Sequence, residues 1–98
     1  MKLIFGTGGR FGRFNYKKSK KIIDFAINKG IRRFDTGFTY CNYKSQPLLA
    51  KCLRPYLKKD REKIEISTKC PPISAEYIEK CVHNSLSIFQ TSYIDYFH

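Results

Sequence analysis

No stretch of the 98 residues is apolar for long enough to cross a membrane. The opening Met1-Lys2-Leu3-Ile4-Phe5 meets Gly6 too soon to serve as the apolar segment of a signal peptide. A cytoplasmic setting with reduced thiols is the resulting expectation. The four cysteines, Cys41, Cys52, Cys70 and Cys81, include no Cys-x-x-Cys pair and no histidine at zinc-ligand spacing, so no metal site is expected. No linker or low-complexity run breaks the chain. Acids are scarce, eight against 19 Lys and Arg, for a formal net charge of +11. Neither a zinc-finger spacing nor the aromatic motif of RNA-binding sheets accompanies that charge. Any nucleic-acid binding is therefore expected to be weak, indifferent to sequence and steeply salt-dependent.

What is present is a composition that folds, 42% hydrophobic and 15% aromatic. The length allows one domain, residues 1–98, and not two. Short apolar runs recur about every thirty residues, at Leu3–Phe5, Ile31–Phe34, Ile64–Ser67 and Tyr93–Phe97, and read as strands. Between the first two, Lys17–Lys29 places Ile22, Ile23, Ala26 and Ile27 on one helical face, and Gly30 closes the helix. A second helix is expected over Ser45–Leu57, with Ser45 as N-cap, an apolar stripe of Leu48, Leu49, Cys52 and Leu53, and Pro55 shortening or kinking it. A third begins near Ser74 and aligns Ile78, Cys81, Val82, Ser85, Leu86 and Phe89. Strands alternating with helices imply an α/β order, β-α-β-α-β-α-β, with parallel strands.

In such a sheet the functional groups collect where the strands end. Those ends read Gly6-Thr7-Gly8-Gly9, Asp35-Thr36-Gly37-Phe38-Thr39-Tyr40 and Thr68-Lys69-Cys70-Pro71. One carboxylate, one phenol and one ammonium fall on a single rim. Taken singly, Asp35-Thr36-Gly37 is a strand-ending turn, Tyr40 a packing aromatic and Lys69 a solvated charge.

At family spacing these segments resemble the aldo-keto reductases. The match covers Asp35-Thr36-Gly37-Phe38-Thr39-Tyr40 with Asn42, Ser45-Gln46 and Leu48-Leu49-Ala50-Lys51-Cys52-Leu53. It continues through Arg61-Glu62-Lys63-Ile64-Glu65-Ile66-Ser67-Thr68-Lys69 and ends with Leu86, Phe89 and Thr91-Ser92-Tyr93-Ile94-Asp95-Tyr96. The resemblance implies a partial (β/α)8 TIM barrel and an NADPH-dependent oxidoreductase that reduces small carbonyl compounds. It further implies that Tyr40 is the general acid, that Lys69 supports it, and that Asp35 orients Lys69. A free phenol titrates near about pH 10, and a neighbouring ammonium favours its phenolate. Thr7, Gly8 and Asp35 would approach the nicotinamide end of the cofactor.

The family's catalytic histidine lies past the end of this chain. His98 should share its inward parity but sit about 7 Å deeper, and His83 reads as a surface residue. The loops with which the family grips most of NADPH belong to strands that are not encoded here, so the chain is expected to be a truncated fragment, inactive alone. Helices on one side only should leave strand residues such as Ile4, Phe34, Ile66 and Ile94 facing an uncovered side. That exposure would favour self-association or a complementing C-terminal half. Gln46 and Gly37 stand where the family has Glu and Ala, changes that should not touch the proton chemistry. A non-catalytic interaction module and a weak nucleic-acid binder are the competing readings, and neither substrate nor oligomeric state is legible. The basic segment from Arg10 to Lys21 is not a family signature, and the resemblance assigns it no role.

Overall fold

The computed structural model describes residues 3–98. Four short strands, β1 (Ile4–Gly6), β2 (Arg33–Asp35), β3 (Glu65–Thr68) and β4 (Tyr96–Phe97), form one all-parallel sheet in chain order. They alternate with α1 (Tyr16–Asn28), α2 (Tyr40–Tyr43, a single distorted turn), α3 (Ser45–Lys59) and α4 (Ala75–Phe89). This is the order expected of the first part of a (β/α)8 barrel.

Both ends of α1 and the start of α4 have a local cause. Asn15 caps α1 through its side-chain oxygen, which accepts from Lys18 N at 2.8 Å. At the other end Gly30, at φ +94°, lets Ile31 N reach back to Ala26 O at 3.0 Å. That turn delays β2, which begins at Arg33 and not at Ile31. Ser74 caps α4 by accepting from Tyr77 N. Helix α3 departs from the sequence reading at two points. Its N-cap position is Lys44, and Ser45 is the first helical residue, buried with its hydroxyl unpartnered. Pro55 does not shorten it, because Pro55 lies on the exposed side between the buried Leu53 and Leu57, where water can meet the freed carbonyl.

Strand β4 is shorter than Tyr93–Phe97. The Asp95 carboxylate accepts from Ile66 N at 2.8 Å, taking the place a strand carbonyl would fill. The same carboxylate pairs with Arg61 at 2.9 Å, and Arg61 also holds Tyr93 O and Ile64 O. Ladder pairing therefore starts only at Tyr96.

Register decides which side chains share a face. Phe5, Phe34 and Ile66 are partners and turn toward the helices, as do Thr7, Thr36 and Thr68 further along. Phe34 and Ile66 are 1% and 0% exposed, packed with Ile23, Leu49, Leu53 and Phe89. This corrects the expectation that they face the uncovered side. That side is formed by Ile4, Gly6, Arg33, Asp35, Ser67, Tyr96 and His98. It is mostly polar, with an Arg33–Glu65 ion pair at 2.6 Å and two large apolar residues, Ile4 and Tyr96, about half exposed at 55% and 46%.

Candidate functional site

The rim is built by three backbone links between neighbouring strand ends. Thr7 N donates to Asp35 O at 3.0 Å, Thr36 N to Ser67 O at 2.9 Å, and Phe38 N to Lys69 O at 2.8 Å. Beneath them the buried threonines tie the strand ends further. Thr7 Oγ1 donates to Asp35 O at 3.0 Å, and Thr68 Oγ1 donates to Gln46 Oε1 from α3. Asp35, Tyr40 and Lys69 are thereby brought together.

Lys69 is the hub. Its Nζ donates to Tyr40 Oη at 2.9 Å, to Asp35 Oδ2 at 3.0 Å and to Thr36 O at 3.1 Å. Burial works against the ammonium. The hydrogen bonds to Tyr40 and Asp35, with the Asp35 charge, outweigh it and hold Lys69 above its usual value. The charge is thus retained at neutral pH, and the phenol oxygen of Tyr40 sits against a cation. Ser67 Oγ donates to Asp35 Oδ1 at 2.7 Å, fixing the carboxylate from the neighbouring strand.

Two participants escaped the sequence reading. Ser67 could have been found from strand alternation, since it is the register partner of Asp35 on the open face. Gly37 was expected to leave the proton chemistry alone, yet it forms the floor under Tyr40. A Cβ there would lie 2.9 Å from both Cδ1 and Cε1 of the ring. No chain pattern signals that contact.

The remaining expected residues divide. Gly8 is exposed, and a Cβ on it would meet only the Tyr40 ring, at 3.7 Å, so the backbone beside the phenol is open to close approach. Thr7 is fully buried and supports the end of β2. The Asp35 side chain is 28% exposed and lines the open face. His98 lines that face with Asp35 and Ser67, and His83 is exposed beside Glu79. Tyr40 leads into a tight reversal in which Cys41, Asn42 and Tyr43 all have positive φ, 52°, 56° and 69°. Left-handed backbone costs non-glycine residues of order 1 kcal/mol each and must be held by its surroundings. Among the described residues no group of metal-ligating side chains occurs, and no helix is long and apolar enough to cross a membrane.

This sheet of parallel strands, with a Tyr–Lys–Asp cluster at its C-terminal rim, places the chain among barrel proteins that carry their chemistry on the strand ends. Residues 2–98 match the aldo/keto reductase family, and the chain belongs to that family. It is 31% identical over 112 aligned residues to "Probable aldo-keto reductase 1" of Glycine max, covering 99% of this chain and 32% of that protein. Over 56 residues it is 39% identical to the versiconal hemiacetal acetate reductase of Aspergillus parasiticus, covering 57% of this chain and 16% of that one. A thermostable aldo-keto reductase crystallised with the inhibitor epalrestat superposes with a TM-score of 0.78 at 20% identity, over 96% of this chain and 36% of its own. The aldo-keto reductase of Klebsiella pneumoniae, crystallised with NADPH, superposes with a TM-score of 0.79 at 20% identity, over 96% and 33%. The chain therefore spans about a third of the length of the soybean relative and of these two structures.

Proposed function

We propose that this chain supplies the proton-transfer half of a carbonyl-reducing site, with NADPH as reductant and a small aldehyde or ketone as substrate. One observation carries the reading: Lys69 Nζ bridges Tyr40 Oη at 2.9 Å and Asp35 Oδ2 at 3.0 Å. Family membership and the likeness to a reductase crystallised with NADPH support it.

In this reading NADPH, when bound, would supply the hydride. Tyr40 holds the carbonyl oxygen by hydrogen bond and gives it a proton as charge develops there. Lys69 keeps a positive charge against the phenol oxygen, so the phenolate left behind is stabilised without rearrangement. Asp35, itself held by Ser67, fixes Lys69 in that position. The open backbone at Gly8 and the accessible edge of Asp35 fit the approach of a flat ring. Thr7 acts through Asp35, by holding the end of β2. The rest of the cofactor site would come from the barrel elements absent from these 98 residues, whether on a further segment or on a complementing chain that covers the open sheet face.

The test is aldehyde-dependent NADPH oxidation by the chain alone and by the chain mixed with the C-terminal two-thirds of a related reductase. The chain alone should bind NADPH negligibly. The mixture should turn over, and Tyr40→Phe should abolish that turnover. Micromolar NADPH affinity of the chain alone would overturn the division of labour, and full activity in Tyr40→Phe would overturn the role of Tyr40.

A further inference from the structure

Beside Tyr40 the loops after β1 and β2 border an open surface recess of about 240 Å3 lined by Gly9, Arg13, Cys41, Asn42 and Lys44. Its two walls are locked together at Gly12. A Cβ on Gly12 would lie 2.7 Å from Ser45 N and 2.8 Å from Cys41 Cβ, so only glycine lets the turn at Phe11–Arg13 seat against Cys41–Ser45. That contact brings Arg13 and Lys44 to the border of the same recess. The left-handed run Cys41–Tyr43 then folds the chain back so that Cys41, Asn42 and Lys44 all border it.

The charge of this recess is unbalanced. Among the described residues neither Arg13 nor Lys44 enters an ion pair. No carboxylate lines the recess. The sequence has no Asp or Glu from Met1 to Ile23, nor from Thr36 to Lys59, so both loops are free of acid apart from Asp35 at the strand end. A guanidinium, an ammonium and a carboxamide around a small recess form the donor set of an oxyanion site. Two cations match a dianion better than a monoanion.

We infer that this recess binds the phosphate of a phosphorylated substrate, a short aldehyde or ketone whose carbonyl reaches Tyr40 while its phosphate sits between Arg13 and Lys44. The inference rests on the carbonyl-reducing reading for its substrate but not for the anion site. Cys41 follows Tyr40 directly and Gly9 follows Gly8, whose Cβ position is 3.7 Å from the Tyr40 ring, so the recess borders the residues next to those that carry and flank the phenol. Arg13 would take two phosphate oxygens in one plane, and Lys44 would act as a point charge on the third.

Backbone amide NMR of the 98-residue chain tests the site directly. Inorganic phosphate and glycolaldehyde phosphate are titrated at constant ionic strength, with glycolaldehyde and chloride as controls. Saturable shifts are expected at Gly9, Asn42 and Lys44 with both phosphates and with neither control. Arg13→Gln/Lys44→Gln, both at exposed positions, should weaken the response by about tenfold or more, while Lys17→Gln/Lys18→Gln should leave it unchanged. Equal weakening by both pairs, no saturable shift, or a stronger response to NADP+ than to glycolaldehyde phosphate would overturn the site. In the reconstituted assay, reduction with no preference for glycolaldehyde phosphate over glycolaldehyde sinks this inference alone. Phosphate binding without any reduction sinks the carbonyl-reducing reading alone.

Discussion

Gly37 lies flat beneath Tyr40: a Cβ at this position would come within 2.9 Å of Cδ1 and Cε1 of the ring. The phenol is thus positioned from two directions, by the glycine under its ring and by Lys69 at its oxygen. Gly37→Ala is expected to push the ring outward and lengthen the 2.9 Å bond to Lys69, at a stability cost of about 1–3 kcal/mol typical of overpacking. Urea denaturation measures the cost, and a crystal structure of the variant measures the ring. An unshifted ring would show that Gly37 does not position it.

The two sheet faces should respond very differently to substitution. Phe34→Ala removes a fully buried ring from the helix side and is expected to cost about 3–5 kcal/mol. Ile4→Ser, on the open face, should change stability by within about 0.5 kcal/mol. Chemical denaturation of both variants checks the assignment, and a large loss from Ile4→Ser would mean that something covers the open face.

Thiol reactivity should follow burial. Cys52 is fully buried in α3, and burial pushes its thiol up to about 11, so at neutral pH it is protonated and shielded. Cys81 is also buried, whereas Cys41 is half-buried at the rim. Brief alkylation at pH 7.5 followed by peptide mass mapping should label Cys41 well before Cys52 and Cys81. Early labelling of Cys52 would require α3 to open locally.

Acid should weaken the contact between α1 and α3. Asp24 accepts from Lys20 at 2.5 Å and from the Tyr56 hydroxyl. Burial raises its pKa, but the hydrogen bonds from Lys20 and Tyr56 and the Lys20 charge overcome this and hold it below its usual 3.8. The folded state therefore binds fewer protons than the unfolded state in that range. The Asp24 contribution is present above 3.8 and is lost as pH falls through the lower folded value. Asp24→Asn should flatten the acid limb of the stability profile, measured by thermal melts between pH 2 and 6. For Lys69 the sign reverses: its raised pKa adds stability below 10.5 that disappears as pH climbs above it.

Much of this protein follows from local pattern. The 3.6-residue spacing of Ile22, Ile23, Ala26 and Ile27, the cap at Ser74 and Gly30 just past the end of α1 place α1 and α4, because caps and amphipathic faces depend on near neighbours in the chain. The rim residues Asp35, Tyr40 and Lys69 were legible because strand ends follow from the same alternation, and the family spacing marked them. What the chain order could not reveal was decided by contacts between distant segments. Which strand face the helices cover depends on register, a relation between strands thirty residues apart, and it buried Phe34 and Ile66 while leaving Arg33, Asp35 and Ser67 open. The late start of β4 depends on a carboxylate reaching across to Ile66 N, and the course of α3 through Pro55 depends on which side meets water. Gly37 under Tyr40 and Gly12 against Ser45 are likewise matters of space, since the absence of a side chain has consequences only where another part of the fold occupies the gap.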